Sequence, residues 1–217
     1  MKEHFYHTKK LPHFQPAEGT FFVTYRLFGS IPMEVVREMQ TEFEKKKAAV
    51  SDNTKLSLTE KKQLLYDCQK WHFGQVDAFL DKAPNEPHWL KNKAIAKIVS
   101  ESIHTCEARY FQLWCYCIMA NHVHLLITLK PESPVLFQVL QNHKSFTGGV
   151  CNEFLGLEGK FWERESYDHL VRKNGEFERI MFYILNNPVK AKLVKNWWDW
   201  PWTYLHPDWH LYFQAPA

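Results

Sequence analysis

No apolar run in this 217-residue chain approaches the roughly 20 residues a membrane-spanning helix needs, so no membrane segment is expected. The N-terminal MKEHFYHTKK is polar and basic and lacks the apolar stretch of a signal peptide. Cysteine is sparse: Cys68, Cys106, Cys115, Cys117 and Cys151 are odd in number, scattered, and match no zinc-binding spacing. They are expected to be reduced core thiols in a cytoplasmic protein. A dominant charge is missing as well. With 27 basic and 24 acidic side chains the net charge is +3, which permits a nucleic-acid partner without the excess of a histone-like protein. There is no internal repeat and no low-complexity tract.

What is present suits one globular domain with a full core. Hydrophobic residues make up 45% and charged residues 24%. Aromatic content is high at 16%, with nine tryptophans; such residues serve cores first and offer bases a stacking surface second. TFFVTYRL at 20–27 reads as a strand, with Pro32 placed for the first turn of a helix over MEVVREMQTEFEKKKAAV. Ser57 to Glu60 form a capping box that starts a helix through about Leu80, and KNKAIAKIVSESIH begins another. Two central strands follow at 110–118 and 122–130. A helix over SPVLFQVLQNHKSFTGGVCNEF is expected to fail near Gly148-Gly149. GKFWERESYDHLVR is expected to be irregular, and the tail NWWDWPWTYLHPDWHLYF an aromatic loop whose tryptophans seal the open sheet edge. The order predicts an α+β fold, an antiparallel sheet with helices on one face.

The stretch YCIMANHVHLLITL is unusual in placing His122 and His124 one residue apart in an apolar strand. Residues two apart on a strand share a face, so both imidazoles sit together while Val123, Leu125 and Ile127 pack behind them. Such a pair can hold a metal jointly. In the helix expected after Asn174, the intended N-cap, Phe177, Ile180, Met181, Ile184 and Leu185 form an amphipathic stripe. At about 100° per residue, Tyr183, Asn187 and Glu176 share one border of it. Pro188 disfavours helical geometry at Asn187, which therefore presents its amide at the last turn. A tyrosine bordering a core stripe is by itself an anchored core residue, and Asn before Pro a helix stop. Together, two histidines, an amide oxygen and a phenol describe phosphoryl transfer through a tyrosine nucleophile assisted by a metal.

YCIMANHVHLLITL, GKFWERESYDHLVR and FERIMFYILNNPVKAKLV, in that order, resemble the REP-associated tyrosine transposases, part of the larger single-tyrosine group marked by His-hydrophobic-His. The resemblance runs from about Tyr110 to Tyr204, plus the first strand. It implies a single domain over 1–217 with a ferredoxin-like sheet, helices packed on it, and a helical insertion at about 33–106. It also implies a divalent metal, Mg²⁺ or Mn²⁺, on His122, His124 and Asn187, and Tyr183 as nucleophile. The implied activity cleaves and rejoins single-stranded DNA at hairpins through a 5′-phosphotyrosine, in a nucleoid-associated cytoplasmic protein that is a monomer or homodimer. Ala120 stands where relatives commonly have proline. A hairpin-binding protein without cleavage, or a metal-dependent phosphoesterase using water, would share the scaffold.

Tyr167 is the rival nucleophile, with Asp168 and His169 as possible accessory groups; the plainer reading is that the three orient a loop beside the site. Lys9, Lys10, Arg26, Lys144, Arg164 and Arg172 are candidate nucleic-acid contacts, each alone more often a solvated charge. Trp162 is a candidate stacking residue or a core residue.

Overall fold

The computed structural model describes residues 5–8, 12–82, 87–172 and 175–214, and the chain divides into two compact units. The first comprises 1–28 and 88–217, the second 29–87. In the first unit, β1 (Phe5–Thr8) and β2 (Pro12–Gln15) pair as an antiparallel hairpin. The main sheet has five strands: β3 (Thr20–Arg26), β4 (Phe111–Ile118), β5 (His122–Leu129), β6 (Tyr167–Leu170) and β7 (Thr203–Leu205). Their spatial order is β6-β3-β5-β4-β7, with every neighbouring pair antiparallel. α3 (Lys93–Arg109) connects into β4, and α4 (Leu136–Leu155) links β5 to β6. The series β3-α3-β4-β5-α4-β6 in this order is the expected ferredoxin-like arrangement, with β7 added at one edge.

Strand alternation sorts the side chains. Phe21, Val23 and Tyr25 of β3 and Val123, Leu125 and Ile127 of β5 join Ile95 and Val99 of α3 and Val139 and Leu140 of α4 in one buried core. Each such side chain contributes roughly 1.5–3 kcal/mol by leaving water. The opposite face carries Phe22, Thr24, His122, His124 and Leu126, and here α5 (Glu176–Leu185) packs on β4 and β5. The single layer of helices expected from the sequence is therefore two layers, because the stripe of α5 needs an apolar face that α3 and α4 have already filled. A bulge at Trp114 lets Leu113 pair with Ile127 and Cys115 with Leu126, so Cys115 and Cys117 both face the histidine side.

Four further expectations are corrected. α4 runs unbroken through Gly148-Gly149 and stops at Gly156, whose left-handed φ of 65° closes the helix. Packing on the sheet overrides the low propensity of the glycine pair. The segment read as irregular contains β6, and the tail contains β7: both are short edge strands whose backbone pairs with a neighbour. Pro32 is the N-cap of α1 (Met33–Ser51), just ahead of its expected place. Trp202 packs against the core, and Trp200 donates its indole N–H to the Ile118 carbonyl at 3.0 Å, while Trp198 is exposed.

A polar chain crosses the core. Tyr25 Oη is hydrogen-bonded to His143 Nε2 at 2.8 Å, and His143 Nδ1 meets Ser102 Oγ at 2.9 Å. The second unit holds α1 and α2 (Leu58–Lys82), and the Ser57–Glu60 capping box forms as expected, with Ser57 N–H donating to Glu60 at 2.8 Å and Glu60 N–H to Ser57 Oγ at 3.3 Å. Phe43 and His72 stack within it at 4.6 Å. Its chain enters and leaves side by side: a Cβ built at Gly29 would lie 3.9 Å from Pro87 Cδ. All five thiols are free, and those of Cys115, Cys117 and Cys151 are buried. Among the described residues no helix is long and apolar enough to cross a membrane.

Candidate active site

His122 and His124 open β5, and the sheet register sets Thr24 on one side of His124 and Cys117 on the other. Both imidazoles are buried, at 1% and 0% exposure. Each is held at Nδ1: His122 by Asn121 Oδ1 at 2.7 Å and His124 by Thr24 Oγ1 at 2.7 Å. The two Nε2 atoms face one another at 3.0 Å. Thr24 can give or take the proton at His124 Nδ1, so the space between the two Nε2 atoms can hold either a hydrogen bond from one ring to the other or a cation in place of that proton. A second ring nitrogen tied to an oxygen is how metal-ligating histidines are oriented.

α5 covers this face. The Tyr183 ring, half-buried, meets His124 edge-on at 5.7 Å and Phe22 edge-on at 5.9 Å. Lys190 Nζ lies 5.5 Å from the centre of the same ring. Asn187 is fully buried; its Nδ2 donates to the Tyr183 carbonyl at 3.2 Å, and its Oδ1 accepts no hydrogen bond among the described residues. An unmet buried acceptor costs about 1–3 kcal/mol, a penalty a cation at that oxygen would remove. The paired imidazole nitrogens are of a kind that suits a divalent ion, and the unmet Asn187 oxygen is a second candidate donor on the elements that cover this face. The expected place of Asn187 at the last turn of α5 is corrected. α5 ends at Leu185 with Asn186 as cap, and Asn187 opens a separate turn, α6 (Asn187–Lys190). Pro188 is tolerated at the start of that turn because its missing N–H is not needed there.

Comparison with known proteins gives the same direction. No family model matches the chain. A protein named as a REP-associated tyrosine transposase in Haemophilus influenzae is 31% identical over 114 residues, covering 48% of this chain and 64% of the relative. A REP-associated tyrosine transposase of Escherichia coli is 30% identical over 102 residues, covering 46% of this chain and 58% of the relative. The match therefore spans less than two thirds of the length of either. A solved structure of a REP-associated tyrosine transposase bound to a REP hairpin superposes with a TM-score of 0.58 over 95% of this chain and 88% of that one, at 15% identity, and establishes the shared fold.

The chain is similar to the REP-associated tyrosine transposases.

The remaining expected residues lie on both faces of the sheet. β6 alternates: Tyr167 pairs with Thr24 and His169 with Phe22 on the histidine face, while Asp168 pairs with Val23 and turns to the other. The Tyr167 ring meets Phe22 edge-on at 5.9 Å, so Phe22 is flanked by both candidate nucleophiles, of which Tyr183 is in ring contact with His124. His169 Nε2 lies 3.1 Å from Glu176 Oε1, and Glu176 Oε2 accepts from the Arg172 N–H at 3.0 Å, fastening the start of α5 to β6. Arg26 is paired with Glu163 at 3.2 Å. Trp162 is a core residue, 6% exposed, its indole N–H bonded to Thr147 Oγ1 at 2.9 Å, so it is not open to a base. Lys144 and exposed Arg164 line a cleft beside α4. Lys9, Lys10 and Asn174 lie outside the described residues; Gly175, with φ 68°, takes the N-cap of α5.

Two functional candidates were not foreseen in their roles. Asn121 lies in the turn between the two central strands, and its place next to His122 was a usable signal. Thr24 reaches His124 from 100 residues away and becomes visible only with the register.

Proposed function

We propose that the protein is a metal-dependent strand transferase acting on single-stranded DNA that carries hairpins, with Tyr183 as its nucleophile. The observation that carries this reading is the phenol ring set edge-on to buried His124, whose Nε2 faces that of His122. The names of the curated relatives, and the REP hairpin held by the solved transposase of like fold, support DNA of this class as substrate. His122, His124 and Asn187 would hold the ion. When bound, it polarises the scissile phosphate and offsets charge that develops there. Imidazole ligands favour Mn²⁺ over Mg²⁺.

Tyr183 Oη attacks the phosphorus as its proton leaves. The Oη–P bond forms, the P–O3′ bond breaks, and the departing 3′-oxygen takes up a proton. The products are a 5′-phosphotyrosine and a free 3′-hydroxyl. A 3′-hydroxyl then attacks the same phosphorus and releases Tyr183. One phosphate ester replaces another at each step, so no nucleotide energy is consumed. Lys190 sets its ammonium 5.5 Å from the centre of the Tyr183 ring, a cation beside the proposed nucleophile. Asn121 and Thr24 fix the two imidazoles, and Glu176 with His169 anchors the helix that carries Tyr183.

The test is denaturing electrophoresis after incubation with a labelled hairpin oligonucleotide bearing single-stranded flanks and Mn²⁺. An adduct that survives denaturant is expected from the natural sequence and from Tyr167→Phe, and none from Tyr183→Phe. Cleavage without adduct would support a water-using phosphoesterase, and binding without cleavage a recognition protein. Peptide mapping that finds the phosphotyrosine at Tyr167 would overturn the assignment of Tyr183.

A further inference from the structure

Two adjacent glycines sit inside α4, where each lowers helix stability by about 0.5–1 kcal/mol relative to alanine. Gly148 has a packing reason, since a Cβ there would come within 3.4 Å of Phe161 Cβ and 3.5 Å of Trp162 Cδ1. Gly149 has no such reason among the described residues: it is exposed, and a Cβ there would meet nothing within 4 Å. The helix holds through 149 by packing elsewhere along it, and among the described residues no contact at that position calls for glycine. Bare backbone of this kind is what a closely approaching ligand requires.

Gly149 lines a cleft of about 600 Å³ between α4 and residues 159–168, a volume in the range that accepts small molecules. The cleft lies on the side of the sheet covered by α4, and Asp168 of β6 turns toward it while Tyr167 and His169 face the histidines. Its walls carry both signs of charge, Lys144 and Arg164 against Glu163, Glu165 and Asp168. Lys144 is fixed by the Arg164 carbonyl at 2.9 Å and Ser166 Oγ at 3.1 Å, and burial lowers its pKa to about 8, leaving it charged at neutral pH. Glu163 is engaged by Arg26. A ligand that is only an anion would meet the carboxylates, and one that is only a cation would meet Lys144 and Arg164. A nucleotide suits both, with phosphate oxygens for the cations and N–H edges for acidic groups. Its flat face can approach the helix backbone at Gly149, where no side chain stands in the way.

We propose that this cleft receives one unpaired nucleotide of the bound DNA strand, its base lying over Gly149 and its phosphate beside Lys144 and Arg164. The inference rests on the hairpin-DNA reading above and adds a contact on the opposite face of the sheet from Tyr183, one that senses single strand next to a hairpin.

Gly149→Leu fills the floor of the cleft while improving helix propensity, so its melting temperature should not fall below that of the natural sequence. Fluorescence anisotropy at one salt concentration compares a hairpin with single-stranded flanks and the same hairpin without them. The natural sequence should prefer the flanked form by roughly tenfold, the order of one charge-assisted hydrogen bond to its phosphate. Gly149→Leu should lose that preference and bind the bare hairpin unchanged; Gly149→Ala, too small to fill the space, should keep it. A flank preference that survives Gly149→Leu overturns the proposal, as does a natural sequence that binds hairpins with no flank preference. A lower melting temperature in Gly149→Leu would show the position to be packed and remove the premise. Failure of the natural sequence to bind any hairpin would overturn the DNA reading itself.

Discussion

Acidification from pH 7.5 to pH 5 should weaken folding by about 2 kcal/mol through one residue, His143. Burial first, and the nearby charge of Lys144 second, push its pKa from 6.5 down to about 3. Tyr25, whose phenol burial holds well above its usual pKa, is hydrogen-bonded to Nε2 and Ser102 to Nδ1, so a neutral ring satisfies both as one donor and one acceptor; Thr147 Oγ1 donates to the His143 carbonyl. No carboxylate takes part in these bonds. The unfolded chain binds a proton as pH falls through 6.5, whereas the folded chain does not until about pH 3. Stability is therefore fully present above 6.5 and falls by about 1.36 kcal/mol per pH unit between those values, giving about 2 kcal/mol at pH 5. His143→Gln keeps a donor and an acceptor but does not titrate. Urea unfolding of both proteins at pH 7.5 and pH 5 isolates the effect, because every other histidine is common to the two and cancels. The natural sequence should lose about 2 kcal/mol more than the variant; an equal loss would show that His143 is protonated in the fold and refute the neutral Tyr25–His143–Ser102 chain.

The other expectations concern activity. His122→Ala or His124→Ala should abolish cleavage of a hairpin oligonucleotide while circular dichroism and cooperative melting persist, and a chelator should do the same to the natural sequence until Mn²⁺ is restored; cleavage that continues in chelator would remove the metal from the reading. Hairpins with single-stranded flanks should bind better than a blunt duplex at equal salt, and affinity should fall as salt rises because phosphate contacts release counterions. Equal affinity for both forms would contradict a single-strand-directed protein.

How far the sequence reveals this fold depends on how local the signal is. The shared face of His122 and His124 follows from strand alternation alone and was readable residue by residue, whereas helical period carried Asn187 onto a helix that in fact ends at Leu185. β6 was not, because Tyr-Asp-His-Leu has no apolar alternation and becomes a strand only by pairing with β3. β7 was hidden in a tryptophan-rich tail for the same reason. The second helical layer needed knowledge of which face α3 and α4 occupy. Gly148-Gly149 misleads because propensity predicts a break where tertiary packing holds the helix. Trp162 looked like a stacking residue, and only its burial against Tyr25, ring to ring at 4.9 Å, shows that it belongs to the core.

The meeting of Gly29 and Pro87 bears on how the chain finds its fold. Thr24 and His124, partners across β3 and β5, are 100 residues apart, and pairing them early would close a long and entropically unfavourable loop. If 29–87 folds first as its own unit, its two ends are already together, and the loop shortens to roughly 40 effective residues, lowering the closure penalty by about 0.8 kcal/mol. A chain in which a short Gly-Ser linker replaces 29–87 should then collapse into the β3–β5 pairing at a similar rate, whereas substitutions that unfold α1 and α2 while leaving the length unchanged should slow it.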